Sequence, residues 1–171
     1  MSAKILSEIR TVYTPLELNN ISFATYNEPN LDDTFTDKLQ LMTATGFMYE
    51  HISNGSMITT ELTDFLIKHP QNIIRFRLNI PTMDEKKWKD MTGSALTVLY
   101  RMHYQLHYLF ERASQLNFPI QVIVNGDGGE DHKQEFMKVY QKFAHHKGIN
   151  LSMTGLIDRA GTLEGAECET Q

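Results

Sequence analysis

Runs of β-forming residues alternate with runs of helical spacing along most of the chain, and no two of the β-forming runs are joined by a two-residue hairpin turn. Such runs fall at residues 21–26, 47–52, 72–80, 120–125 and 149–156. Between them apolar residues recur three and four apart: Phe35, Leu39, Met42; then Leu62, Phe65, Leu66; then Leu99, Met102, Leu106, Leu109; then Phe136, Val139, Tyr140, Phe143. Strands without hairpins are joined by crossovers, and right-handed crossovers produce a parallel sheet. The expectation is an α/β fold, a partial parallel (β/α) barrel of about five strands with helices on its outer face. An open doubly wound sheet fits the same alternation, and the units are too few to close a barrel of eight strands.

Breakers fall where this reading needs them. Pro29 and Pro81 end the first and third strands, Pro70 ends the second helix, and Pro119 precedes the fourth strand. Gly46 is placed to cap the first of these helices, Thr82 or Asp84 to open a short one, and Gly126-Asp127-Gly128-Gly129 to form a loop. The barrel-like unit is expected over residues 21–161, preceded by a segment 1–20 that fits either a helix or a strand, and followed by a mobile tail over 162–171.

With 41% hydrophobic and 22% charged residues, the chain has the composition of one globular unit. Sixteen Lys and Arg against 21 Asp and Glu leave a net charge of −5, which provides no general attraction to nucleic acid or anionic lipid. Lys4, Glu8 and Arg10 interrupt the apolar stretch a secretion signal requires, and no apolar run reaches the length of a membrane helix. A soluble cytoplasmic protein is expected. The single cysteine, Cys168, allows no intrachain disulfide and no cysteine-based metal site.

In parallel sheets ligands gather at the carboxyl ends of the strands. There lie Asn27-Glu28, Ser53-Asn54, Asn79, Asn125 with Asp127, and Asp158-Arg159. Glu28 beside Pro29 could accept hydrogen bonds from an ammonium group or stand as an ordinary turn carboxylate. Ser53-Asn54-Gly55 reads first as a turn. Arg75 and Arg77 share one strand face, suited to an anion or to internal ion pairs. His103, His107 and Glu111 follow each other at four-residue intervals, a spacing compatible with zinc, although in this fold their helix lies outside the sheet. His145 and His146 diverge by about 100° and read as surface residues. Asp127 could meet a cation or a ribose, a flexible connection being the commoner meaning of its loop.

The ordered strand ends resemble the core of the radical S-adenosylmethionine enzymes from about Ile21 to Gly161. Ile21-Ser22-Phe23-Ala24-Thr25-Tyr26-Asn27-Glu28-Pro29 resembles that family's second strand and its Gly-Glu-Pro motif, with Asn27 replacing the glycine. Ile52-Ser53-Asn54-Gly55 resembles the Thr-Asn-Gly turn of the third strand, and Asn79 stands where the fourth strand has a serine near the cofactor carboxylate. Asn125 ends a counterpart of the fifth strand, and Asp158-Arg159-Ala160-Gly161 resembles a stretch after the sixth. The resemblance implies an S-adenosylmethionine pocket involving Asn27, Glu28, Pro29, Asn54, Asn79, Asn125 and Arg159. It does not extend to the Cys-x3-Cys-x2-Cys loop whose thiolates hold the iron–sulfur cluster, since residues 11–20 contain no cysteine.

The functional expectation is therefore a core fragment or degenerate homologue, inactive alone, retaining part of the cofactor pocket and binding no cluster by itself. Two other classes fit the residues. One is a cluster-free binding or scaffold protein that pairs through open sheet edges with a partner or with itself. The other is a metal-dependent hydrolase using Glu28, His51 and Asp127.

Overall fold

A computed structural model describes residues 3–13, 20–23, 28–80, 82–114, 120–125, 130–143, 145–146 and 149–154. The elements run α1 (Ala3–Tyr13), β1 (Asn20–Phe23), α2 (Phe35–Ala44), β2 (Met48–Ser53), α3 (Thr60–Lys68), β3 (Ile73–Ile80), α4 (Glu85–Thr92), α5 (Leu96–Ser114), β4 (Ile120–Asn125), α6 (Glu130–Tyr140) and β5 (Ile149–Thr154). The five strands form one sheet in the order β1-β2-β3-β4-β5, and every neighbouring pair is parallel. Sequential order has no point at which the strand order reverses, which distinguishes this sheet from a doubly wound one.

The two faces of the sheet differ in chemistry. Phe76, Leu78 and Ile80 of β3 are fully buried, as are Tyr49 and His51 of β2, and all belong to the core shared with Leu39 and Met42 of α2, Leu62 and Leu66 of α3, Leu106 and Phe110 of α5, and Phe136 of α6, apart from the polar His51. The intervening residues Glu50, Arg77 and Asn79 are only half-buried, and Arg75 is exposed. Pairing carries this alternation from strand to strand: His51 opposite Phe76 and Ser53 opposite Leu78 on the covered face, Glu50 opposite Arg75 and Ile52 opposite Arg77 on the other. With a period of two along β2 and β3, most apolar positions turn to the helices and the charged ones away from them, polar His51 and Ser53 on the covered face and Ile52 on the other being exceptions.

Local chemistry sets the helix ends. Gly46, at φ 76°, lets α2 stop in a left-handed residue, with Gly46 N donating to Thr43 O and Phe47 N to Met42 O at 3.0 Å. Phe47, expected to begin a strand, is consumed by this cap and buries itself beside the core, so β2 starts at Met48. The Thr59 hydroxyl caps α3 by accepting from Leu62 N, and Asp84, one of the two expected caps, opens α4 by accepting from Lys87 N at 2.8 Å. The helical spacing of Phe136, Val139, Tyr140 and Phe143 is followed as an α-helix only to Tyr140, the chain passing at Gln141–Phe143 into a 3₁₀ turn. In the segment 1–20, the helix alternative holds for Ala3–Tyr13. Residues 155–171, including the expected mobile tail, lie outside the described residues.

His51 is an unexpected core residue. Its ring stacks on Phe76 at 4.8 Å and 17° and lies 4.9 Å from Phe35, and neither ring nitrogen has a hydrogen-bond partner among the described residues. Burial alone pushes its pKa down to about 3, from an ordinary value of 6.5. The unfolded chain therefore takes up a proton that the folded chain refuses. The sign follows: the protonation-linked cost of His51 is absent above pH 6.5, and stability is lost as pH falls from 6.5 towards 3, by up to about 1.4 kcal/mol per unit. Urea unfolding at a series of pH values is expected to show this slope in the wild type and a shallower one in His51→Leu; equal slopes would refute the assignment.

Candidate functional site

The carboxyl ends of β1 and β2 are tied together by one carboxylate. Glu28 stands at the start of a 3₁₀ turn, Pro29–Leu31, where its Oε1 accepts from Asn30 N at 3.3 Å. The same oxygen accepts from the Ser53 hydroxyl at 2.8 Å, and Oε2 accepts from Asn54 N at 2.6 Å. Ser53 Oγ in turn accepts from Asn30 Nδ2 at 2.9 Å and from Gly55 N at 3.0 Å. Two loops far apart in sequence thus share a charge-assisted network at the rim of the sheet.

Helix α5 supports this rim from behind. Gly55 has φ 82°, and a Cβ there would stand 3.4 Å from Met102 Cγ and Sδ, so both conformation and space favour glycine. Arg101 donates to Ser56 O at 3.0 Å. The Asn54 side chain is occupied within its own loop, its Oδ1 accepting from Ser56 N at 2.9 Å and from Ser56 Oγ at 2.7 Å.

Of the residues expected to contact a cofactor, the structure joins Glu28 and Asn54 in this rim network, with Pro29 opening the adjoining 3₁₀ turn. Asn79 lies elsewhere: it follows Leu78, the partner of Ser53, and alternation puts it on the opposite, polar face. Asn125 ends β4 opposite Thr154 of β5. Asn27, Asp127 and Arg159 lie outside the described residues. Asn30 was not foreseen as a site residue. Its Nδ2 holds Ser53, while its Oδ1 is buried with no partner among the described residues. Its position directly after Glu28-Pro29 was the only available signal, and the partner lies 23 residues away.

Arg75 and Arg77 are engaged with Glu50 of the neighbouring strand, at 3.4 Å and 3.2 Å to the same oxygen. That is the ion-pairing alternative for these two residues. His51 lies inside the core rather than at the rim, in a poor place for the base of a hydrolase. His107 Nδ1 stands 3.8 Å from Glu111 Oε2, while His103 is half-buried near Tyr140, and burial lowers its pKa. Among the described residues no group of three or more His, Cys, Asp or Glu is arranged to hold a metal ion. Likewise, no described helix is long and apolar enough to cross a membrane.

The Ser53–Glu28 hydrogen bond is expected to couple the two loops energetically. In a double-mutant cycle of Ser53→Ala and Glu28→Ala, read by urea unfolding, each single change is expected to cost about 1–3 kcal/mol, with a coupling of at least about 0.5 kcal/mol. Strict additivity would mean that the bond contributes nothing.

No family model matches the chain, and no curated protein matches it. Among solved structures, the crystal structure of SuiB from Streptococcus suis is similar over 94% of this chain, with a TM-score of 0.68 and 15% sequence identity. The match covers 35% of the SuiB chain, so this chain spans about a third of that protein. At this identity the likeness concerns the fold alone: an α/β arrangement with a parallel sheet.

Proposed function

We propose that this chain is a partial (β/α) barrel of the radical S-adenosylmethionine type, which keeps part of the cofactor pocket and does not catalyse alone. The observation that carries the reading is the Glu28 network at the carboxyl ends of β1 and β2. A one-sided sheet in sequential order, with helices on one face and polar residues on the other, is the form such a barrel segment takes.

The residues present fit the ammonium end of S-adenosylmethionine. A carboxylate offers about four acceptor sites. Among the described residues Glu28 uses three, for Asn30 N, Ser53 Oγ and Asn54 N, which leaves one for a ligand N–H. Asn30 Oδ1, which has no partner among the described residues, is a second acceptor in the same network. When bound, the cofactor supplies a sulfonium whose carbon–sulfur bond can be cleaved by an added electron. The residues do not fit the iron–sulfur cluster that delivers that electron: three thiolates are needed, and the chain has one cysteine, Cys168. The role assigned to this chain is therefore binding and orientation.

An edge-pairing binding module is the second reading. It is favoured by the positions of β1 and β5, each of which has a strand on only one side among the described residues.

Calorimetric titration with S-adenosylmethionine separates the readings. Saturable binding that weakens at least about tenfold in Glu28→Ala supports the cofactor pocket. Asn30→Asp serves as a second probe: it keeps the side-chain shape while removing the Nδ2 donor to Ser53 and adding a negative charge beside Glu28. An absence of heat change for a folded wild-type chain would reject the pocket and leave the edge-pairing module.

A further inference from the structure

The outward face of α5 carries tyrosines at four-residue intervals, Tyr100, Tyr104 and Tyr108, on a surface that the core does not use. Tyr104 is 65% exposed and Tyr100 51%. The outer two are held in place: Tyr100 donates its hydroxyl to Glu85 Oε1 at 2.8 Å, and Tyr108 to Asp64 Oδ1 at 2.8 Å, with the Arg112 guanidinium 5.9 Å over the Tyr108 ring. Tethered rings lose little freedom on docking, and tyrosine and arginine are the side chains that protein interfaces favour. The result is a pre-ordered aromatic ridge with Tyr104 at its crest.

The charges on this face have a symmetry that names the occupant. Exposed Arg101 and exposed Glu111 lie equally far on either side of Leu106 along the helix, and so do Tyr104 and Tyr108. If a second α5 lies antiparallel across the first, with the two-fold axis level with Leu106, Arg101 of each copy meets Glu111 of the other. Tyr104 then meets Tyr108. Both contacts occur twice, which is the condition an isologous interface imposes.

We infer that the exposed face of α5 is a self-association surface, through which two copies of this chain pair antiparallel by Tyr104–Tyr108 contacts flanked by Arg101–Glu111 ion pairs. This pairing uses the helix layer. It leaves the sheet edges open; because Arg101 also donates to Ser56 O of the rim loop, Tyr104→Glu, outside the rim network, is the variant that separates self-association from cofactor binding.

Sedimentation of the purified chain from micromolar to several hundred micromolar tests the inference. The wild type is expected to pass from monomer to dimer, and Tyr104→Glu to raise the dimer dissociation constant at least about tenfold. Arg101→Glu and Glu111→Arg are each expected to weaken the dimer, and the two together to restore it. Circular dichroism at low concentration checks that the variants fold; should Tyr104→Glu unfold the chain, the charge exchange decides. A wild type that stays monomeric throughout would overturn the inference. So would association abolished by Ser22→Pro in β1 but indifferent to Tyr104→Glu, since that is the behaviour of edge pairing.

Discussion

The whole structure depends on one register, held in parallel across five strands, that in β2 and β3 sends mostly apolar side chains to one face of the sheet and the charged ones to the other. A slip of one residue in β3 would turn Phe76, Leu78 and Ile80 out of the core and bring Arg75, Arg77 and Asn79 into it. Burying two arginines in the apolar core costs far more than the surrounding contacts could offset. The ion pairs to Glu50 hold the same register from the polar side, because they join residues directly or diagonally opposed across β2 and β3.

The rim is built on that frame. Ser53 lies two residues beyond His51 on the same face of β2, so the hydroxyl that receives Glu28's grip sits at the end of the buried aromatic stack of Phe35, His51 and Phe76. Gly55 then brings the loop against Met102, and Arg101 holds its carbonyl. The position of the rim loop is thereby set by the core together with the loop's own turn bonds at Ser53 and Asn54. A ligand group at Glu28 would meet acceptors already oriented, with little ordering cost left for binding.

The order of strands and helices could be read from the sequence because each element carries its own period and its own stops: Pro29, Pro70 and Pro119, Gly46, and Asp84 at α4. Strand order could not. It is a property of how crossovers pack, and both sequential and doubly wound sheets follow the same alternation. Glu28 was recognisable as a strand-end carboxylate, but its partners Ser53 and Asn54 lie 25 and 26 residues away. Asn30 was missed for the same reason. Arg75 and Arg77 showed a shared face but not the glutamate facing them, which depends on register. His51 alternates with buried Tyr49 and could have been placed in the core by that period, yet a histidine near a strand end invites a chemical reading first. The α5 tyrosines are visible as a four-residue repeat, and only the structure shows which of them are tethered and which stand free of the core.

Amide hydrogen exchange with and without S-adenosylmethionine tests the central claim, that the ligand side of this molecule is the Glu28 rim. The account predicts slowed exchange confined to the amides of Asn30, Asn54, Gly55 and their immediate neighbours, with α5 and α6 unchanged. Protection on the helix layer instead, or no change anywhere at saturating ligand, would contradict it.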